Sequence, residues 1–560
     1  MNKLVRITPH QEMIEFLDQL KKVGFDYATY SGISISPFEL EEIISKEKIL
    51  VTTEKKITEI DEHFAQGFYH EAEKKQKKIA VWEECKESLQ NQLITNLEKK
   101  NTTSFYHIWH SGARASGESL TQIFAMRGNT TNYLGEVIET PITSSLWEGL
   151  SPFEFFISVY GAVKGMIDIA LKTAEAGYLT RRLVESSQSI SIISSDCGTD
   201  SNILTEENDL PLARRVYGRY LAQDIANKKK EIILTRDTLL LEREVKIIQE
   251  NKISAVRVFS PLNCQLIEGI CQKCYGLDLS KPGETIALGT AVGIIAAQSL
   301  GEPGTQLTMR TFHSGGITGD EDITQGLPKV KQIFDNIKPD KEEKSILAKA
   351  AGEITSVEEK IIKQKGKEGQ EIIYPLGKKK KTRVRLGDII EKGVRLTGGK
   401  IDLEEYLEIM GRDICQNYIR EEVRKVYDNQ GIDIDEKHIE IFARQMLSKV
   451  EIMSRGDSDY LAGDMVNYQQ LAKVNQTLVT NKKKPAAFKN IISSLKDLAS
   501  YPDSFLAGIS FQNTLKSLVN YSLYQPVDCL RGSKESLIAG QLIPVGSGFK
   551  ERERYLKGAK

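Results

Sequence analysis

At 560 residues the chain is too long for one hydrophobic core and predicts roughly three or four domains. With 76 basic against 77 acidic residues its formal charge is -1, which excludes a global basic field, so any nucleic-acid contact has to come from local patches. The 40% hydrophobic fraction contains no apolar run of membrane-spanning length, and Met1–Gln11 lacks the apolar stretch of a secretory leader, so a soluble protein in a reducing compartment is expected.

Residues 12 to 23 read as a short amphipathic helix leading into Gly24-Phe-Asp-Tyr-Ala-Thr-Tyr30 and a turn-and-extended segment through Pro37. Residues 38 to 100, rich in Glu, Lys, Gln and Leu with few breakers, predict a solvated antiparallel helical hairpin. A Gly-, Ser- and Thr-containing stretch runs from Ser111 to Ser145, after which Ser151 to Gln188 keeps helical spacing. That is either one long helix spanning a cavity or two helices broken near Gly161, Gly165 or Gly177. Each glycine costs a helix about 1 kcal/mol relative to Ala, so three of them point to close approach or bending. From Pro328 to Pro375 short β-branched runs predict a small β module, closed by the basic run Lys378–Arg385 and the turn Leu386-Gly-Asp388. The basic run reads as a solvated hairpin tip or a phosphate contact. Helical periodicity returns over 402 to 428 and 435 to 450, and turns near Gly532, Gly540, Pro544 and Gly548 punctuate a mixed final region. There is no internal repeat, and the sum is a mixed α+β, multi-domain chain.

Seven cysteines include a dense group, Cys264, Cys271 and Cys274, with Cys85, Cys197, Cys415 and Cys529 scattered. Cys271-Gln-Lys-Cys274 is a knuckle in which two thiolates bind one tetrahedral ion at about 2.3 Å, with Gly276 relaxing the turn so that backbone amides face the sulfurs. A fourth ligand is needed, and Cys197 in Asp196-Cys-Gly-Thr199 is the best candidate, being another Cys-Gly turn in a polar loop. A redox pair is the competing reading, against which the third nearby cysteine and the lack of a thioredoxin-like βαβ pattern count. A closed four-thiolate zinc site is structural, with no position left for water or substrate.

Residues 286 to 316 begin as a small-residue helix that Gly301-Glu-Pro-Gly304 is expected to break. A second short helix then carries Gln306, Met309, Arg310 and His313 before Gly315-Gly316. Their spacing of three, one and three puts them on one helical face. An Arg and a His on one face suit a triphosphate, Met309 suits packing on a base, and flanking glycines suit a lid. Taken alone, the same residues also read as a packed hairpin whose His caps a helix end.

The run Gln298-Ser-Leu-Gly-Glu-Pro-Gly-Thr-Gln-Leu-Thr-Met-Arg-Thr-Phe-His-Ser-Gly-Gly316 resembles the trigger loop of the β′ subunit of bacterial-type, multi-subunit RNA polymerases. Gly161-Ala-Val-Lys-Gly165 and Lys172-Thr-Ala-Glu-Ala-Gly-Tyr-Leu-Thr-Arg-Arg-Leu-Val184 resemble its bridge helix, and Ser111-Gly-Ala-Arg114 with Met126-Arg-Gly128 the loop before it. The cysteines are similar in order and spacing to the family's second zinc site. Asp322–Val330, His438–Leu447 and Ser510-Phe-Gln512 with Leu542–Gly548 resemble its switch, clamp and carboxy-terminal segments.

The resemblance implies a layout: residues 1–100, linker and rim-like helical hairpin; 101–145, loop before the bridge helix; 146–190, bridge helix; 191–285, zinc-binding module. Residues 286–325 would be the trigger loop, 326–400 the switch and small β module, and 401–560 the clamp and carboxy-terminal region. Lys172, Thr173, Ala174, Gly177 and Tyr178 would cross the main channel beneath the template base, and Gln306, Met309, Arg310 and His313 would close over the incoming ribonucleoside triphosphate. His313 would be a proton donor or a positional catalyst. The family's Asn-Ala-Asp-Phe-Asp-Gly-Asp motif is absent from the sequence, so one structural Zn2+ is expected here and the catalytic Mg2+ on a partner chain. Implied partners are the α, β, ω-like and amino-terminal β′ polypeptides, a σ factor, DNA template and RNA, with no membrane. The layout is similar to the split β″ subunit of plastids, which implies a plastid stroma, although the short spacing from Gly316 to Asp322 lacks the large insertion of those relatives and leaves a bacterial cytoplasm as the alternative. Val163, Ala176 and Ala115 stand where the family usually has Arg, Ser and Gly. A non-catalytic zinc-stabilised scaffold that binds protein or nucleic acid is the competing reading.

Overall fold

The computed structural model describes residues 8–35, 46–99, 103–112, 115–134, 136–206, 211–226, 231–281, 283–310, 326–341, 343–358, 361–366, 370–376, 382–500, 502–512, 514–524 and 527–558. The chain divides into two compact units, Met1–Lys172 with Met309–Gly319, and Thr173–Thr308 with Asp320–Lys560.

The first unit holds α1 (His10–Tyr30), α2 (Lys46–Ala65), α3 (Glu71–Lys99), α4 (Ser104–His110), α5 (Gly117–Phe124) and the start of α6 (Pro152–Ser187). α1 is longer than the sequence pattern suggests, continuing through Gly24 where an extended segment was expected. α2 and α3 form an antiparallel hairpin, latched by Lys74 and Lys78 on Asp61 at 2.9 and 2.8 Å and by Lys56 on Glu84 at 3.2 Å. Trp82, Cys85, Leu89 and Leu93, spaced by three and four, are the buried stripe of α3. They pack with Leu120 and Met126 and, from α2, Ile49, Leu50 and Ile57.

The second unit carries the remainder. β1 (Ile192–Ser194), β2 (Ile203–Glu206), α7 (Leu212–Val216), β3 (Ile225–Ala226), β4 (Ile232–Leu234), α8 (Glu242–Glu250), β5 (Ala255–Val258), β6 (Ile270–Cys271) and α9 (Gln272–Tyr275) make a region of short elements. There β1 pairs with β6 in parallel, Ile192 opposite Ile270, and β2 with β5 antiparallel, Ile203 opposite Val258. α10 (Val292–Arg310) and α11 (Leu327–Phe334) follow, then β7 (Gly352–Val357), β8 (Ile361–Gly366), β9 (Glu371–Pro375) and β10 (Ile389–Ile390) in the order β10-β7-β8-β9. The segment from Pro328, expected to be extended, starts with α11 itself, Pro328 standing in its first turn, because Leu327, Val330, Ile333 and Phe334 form a buried helical stripe. α12 (Leu403–Met410), α13 (Arg412–Asp428) and α14 (Glu436–Met446) come next. Gly411, at φ +83, separates α12 from α13 within what reads in sequence as one helix. β11 (Lys449–Ser454), β12 (Met465–Asn467), α15 (Tyr468–Thr480) and β13 (Ala487–Asn490) then form a sheet ordered β12-β11-β13 with its helix. Five shorter helices close the chain from Leu495 to Gly558.

One core runs through this unit: Ala176, Leu179 and Leu183 of α6, Val292, Ala296, Ala297 and Leu300 of α10, and buried faces of α11, α13 and α14. Each large apolar side chain so buried contributes about 1.5–3 kcal/mol before the entropy of ordering is subtracted. The four clustered cysteines border this same core.

Candidate functional site

Cys197 and Cys264 lie in separate loops, Cys271 ends β6 and Cys274 stands in α9, and the four sulfurs all lie within 4.8 Å of one another. A tetrahedron with metal–sulfur bonds of about 2.3 Å has edges of about 3.8 Å. The Cys197 and Cys274 sulfurs stand 3.7 Å apart, close to one such edge, so the four thiols form a cage of the size that zinc takes. Hydrogen bonds from the thiols of Cys264, Cys271 and Cys274 pull the Cys197 thiol far down into its thiolate form. The Cys274 amide donates to the Cys271 sulfur at 3.4 Å, the interaction expected of a knuckle. Gly276 ends the knuckle's turn, as its sequence position suggests, and has a second task as well. It sits at φ +85, and a Cβ there would lie 2.1 Å from the Gly218 carbonyl oxygen, so it admits a neighbouring strand of chain.

Sequence reasoning missed what holds the cage. Buried Arg444 of α14 donates to the carbonyls of Gly269, at 2.9 Å, Cys264, at 3.3 Å, and Leu266. Arg219 grips fully buried Glu440 with two bonds of 2.9 and 2.7 Å, and the Ser260 hydroxyl donates to the same carboxylate at 2.7 Å. Burial alone would raise the Glu440 carboxyl, but the Arg219 guanidinium outweighs it and holds the group down at about 2. The readable signal was periodicity: Glu436, Glu440 and Arg444 recur every fourth residue on a helix whose neighbours are apolar.

α6 is one unbroken helix of 36 residues, not two. Its glycines do not explain themselves by contact, since a Cβ at Gly165 or Gly177 would meet open space. The close approach comes from the glycines of α10. A Cβ on Gly293 would lie 2.0 Å from the Ser187 carbonyl oxygen, one on Gly301 2.3 Å from Thr180 Oγ1, and one on Gly304 3.7 Å from Ala176 Cβ. As α10 rises from 293 to 304, α6 descends from 187 to 176, so the two helices run antiparallel on a seam of small residues. The Ser187 hydroxyl lies 2.8 Å from the Leu183 carbonyl and 2.9 Å from that of Gly293. Pro303 does not end α10, contrary to the expected break. The helical donor that proline removes would have served the Ser299 carbonyl; beside it the Tyr427 hydroxyl donates to the Leu300 carbonyl at 2.7 Å, which ties this turn to α13.

The opposite face of α6 is open. Ala174, Gly177, Tyr178 and Arg181 recur at helical spacing and are exposed, Tyr178 by 39%. Lys172 and Thr173 are half-buried. The Tyr178 hydroxyl bonds Gln512 and its ring lies 4.7 Å from the Arg182 guanidinium, which pairs with Asp335. Val163 is exposed, Ala176 is buried in the seam, and Ala115 holds φ +67, a left-handed conformation that glycine adopts more cheaply. Gln306, Met309 and Arg310 belong to the helical backbone of α10, while His313 lies outside the described residues. So do Asp322 and Lys378–Lys381 of the basic run.

A family model, RNA polymerase Rpb1 domain 5, matches residues 149–487, from the start of α6 through β13. The chain belongs to this family. It is similar to the DNA-directed RNA polymerase subunit β′ of Caldicellulosiruptor saccharolyticus, 39% identical over 98% of this chain and 48% of that protein. The β′ subunits of Lysinibacillus sphaericus (39%, over 98% of this chain and 45% of that one) and Caldanaerobacter subterraneus subsp. tengcongensis (38%, over 98% and 47%) are also similar. The chain thus spans about half the length of these relatives, and its likeness is to the carboxy-terminal part of β′. Among the described residues no helix is long and apolar enough to cross a membrane.

Proposed function

We propose that the chain serves templated RNA synthesis as part of a DNA-dependent RNA polymerase, with α6 as the bridge helix and α10 with the residues after it as the trigger loop. The observation that carries this reading is the two-sidedness of α6: one face locked to α10 through Gly293 and Gly301, the other presenting Ala174, Gly177 and Tyr178. That open face suits a template base, and Lys172 and Thr173 flank it. The seam anchors the stem from which Gln306, Met309, Arg310 and His313 extend. Met309 packs on the incoming base, Arg310 binds the triphosphate, Gln306 closes over the nucleotide with them, and His313 acts there as a proton donor or a positional catalyst. They lower the barrier by positioning and by charge placed where it develops.

Zinc held by Cys197, Cys264, Cys271 and Cys274 would cross-link two loops to the β6–α9 knuckle. Magnesium would be held by a partner polypeptide, where it would supply charge stabilisation for nucleotidyl transfer; the reaction requires the remaining half of a β′-type subunit together with α, β and ω-like subunits, σ, DNA and RNA. The named relatives are bacterial, which supports a bacterial cytoplasm over a plastid stroma.

The test is single-nucleotide addition on a primed DNA–RNA scaffold by the assembled polymerase. Met309→Ala, Arg310→Ala and His313→Ala are each expected to slow extension tenfold or more, about 1.4 kcal/mol of transition-state stabilisation, with zinc content unchanged. Extension at the wild-type rate would leave the zinc-stabilised scaffold as the better description.

A further inference from the structure

α1 carries Met13, Phe16, Leu20, Val23, Tyr27 and Tyr30 at spacings of three, four, three, four and three, the period of a helix-pairing seam. Met13 is buried, but Leu20 is 47% exposed, Val23 51% and Tyr30 84%. A soluble helix with a glycine in its interior gains most of its stability from packing an apolar face, and among the described residues this face is left uncovered. Along one edge of the stripe Glu12, Gln19 and Asp26 recur every seventh residue, so the edge is acidic.

We infer that this stripe docks a helix with a basic edge, supplied by the half of the β′-type polypeptide that the present sequence does not span. The inference rests on the family reading given above. Three observations select the occupant. The heptad spacing fits a helix rather than a strand or a flat surface. The acidic edge favours Lys or Arg on the facing helix. Relatives of which this chain covers 45–48% carry about as much polypeptide again, from which such a helix can come. A second copy of the chain fits poorly. Antiparallel pairing would set Glu12 against Asp26, and parallel pairing would face those acids with Leu17 and Ser31, gaining no ion pair.

The experiment places the photo-cross-linking residue p-benzoylphenylalanine at Val23 in the polymerase purified from cells, with Asp18, off the stripe, as control. A cross-link from Val23 to a helix of the amino-terminal β′ half, absent from Asp18, is expected. Leu20→Glu, at an exposed position, is expected to leave the circular dichroism and zinc content of the chain unchanged while weakening assembly at least tenfold. Cross-linking to a second copy, to another subunit or to nothing overturns the inference, as does wild-type assembly by Leu20→Glu. Wild-type nucleotide addition by the Arg310→Ala variant with this cross-link intact marks failure of the functional reading alone, whereas loss of the cross-link with that variant still impaired marks failure of the docking inference alone.

Discussion

Pro152–Lys172 and Thr173–Ser187 are successive stretches of one helix with one repeat, yet they live in different surroundings. In the first, Phe153, Phe155, Phe156, Met166 and Leu171 are exposed, and the helix start is held by polar bonds. The Glu154 carboxylate there accepts from the amides of Thr143, Ser144 and Ser151 at 3.0–3.1 Å and from the Ser144 and Ser151 hydroxyls at 2.8 Å. In the second, Ala176, Leu179, Leu183 and Ser187 are buried against α10. The difference teaches that a stiff helix can be fixed along one stretch by close-packed small residues while another stretch displays apolar surface at no cost to its own backbone.

The comparison breaks most sharply at Gly293→Ala. The new Cβ would overlap the Ser187 carbonyl, which is backbone and cannot rotate away, so the seam has to open. A loss of about 3 kcal/mol is expected, read as a drop in Tm and in chemical-denaturation midpoint. An unchanged midpoint would mean that the helices are not held at that separation.

Glu154→Gln sharpens the other stretch, with an expected loss of about 2 kcal/mol as several donors lose a charged acceptor. Burial tends to raise this carboxyl, but the donors of Ser151 and Ser144 outweigh it and hold it at about 2, against 4.5 unperturbed. A carboxyl lowered on folding stabilises the folded chain above pH 4.5 and loses that contribution as pH falls toward 2. The difference in Tm between wild type and Glu154→Gln should therefore shrink across that window; a constant difference would point to packing.

The smallest effect is expected at Phe156→Ala. Its ring is 68% exposed, so stability of the chain should change by less than about 0.5 kcal/mol. A larger loss in thermal unfolding would show that the first stretch is packed much as the second is.

How much of this was legible beforehand can be followed residue by residue. The Cys-x2-Cys knuckle and its third neighbour were readable because ligand spacing is local, and Cys197 was singled out by its Cys-Gly turn. Arg444 shares with Glu436 and Glu440 a spacing that marks a polar stripe on its helix, but what it holds was not legible, because its partners are backbone carbonyls, which leave no mark in a sequence. Pro303 misled because the rule that proline breaks helices is a local rule, whereas the packing of this turn, with Gly301 on Thr180, is tertiary. Gly161, Gly165 and Gly177 pointed to close approach in the right helix for the wrong residues, since the contact is made by the glycines of its neighbour.

The sequence by itself determined the helical periodicities, the metal-ligand chemistry and the chain's family likeness, all of which depend on residue type at fixed short spacing. Only the tertiary structure decided that α6 is continuous, that its partner lies antiparallel on a glycine seam, and that buried Arg219, Glu440 and Arg444 brace the cysteine cage. Those features depend on which distant backbones come within van der Waals reach, and that distance is set by the packing of the whole core.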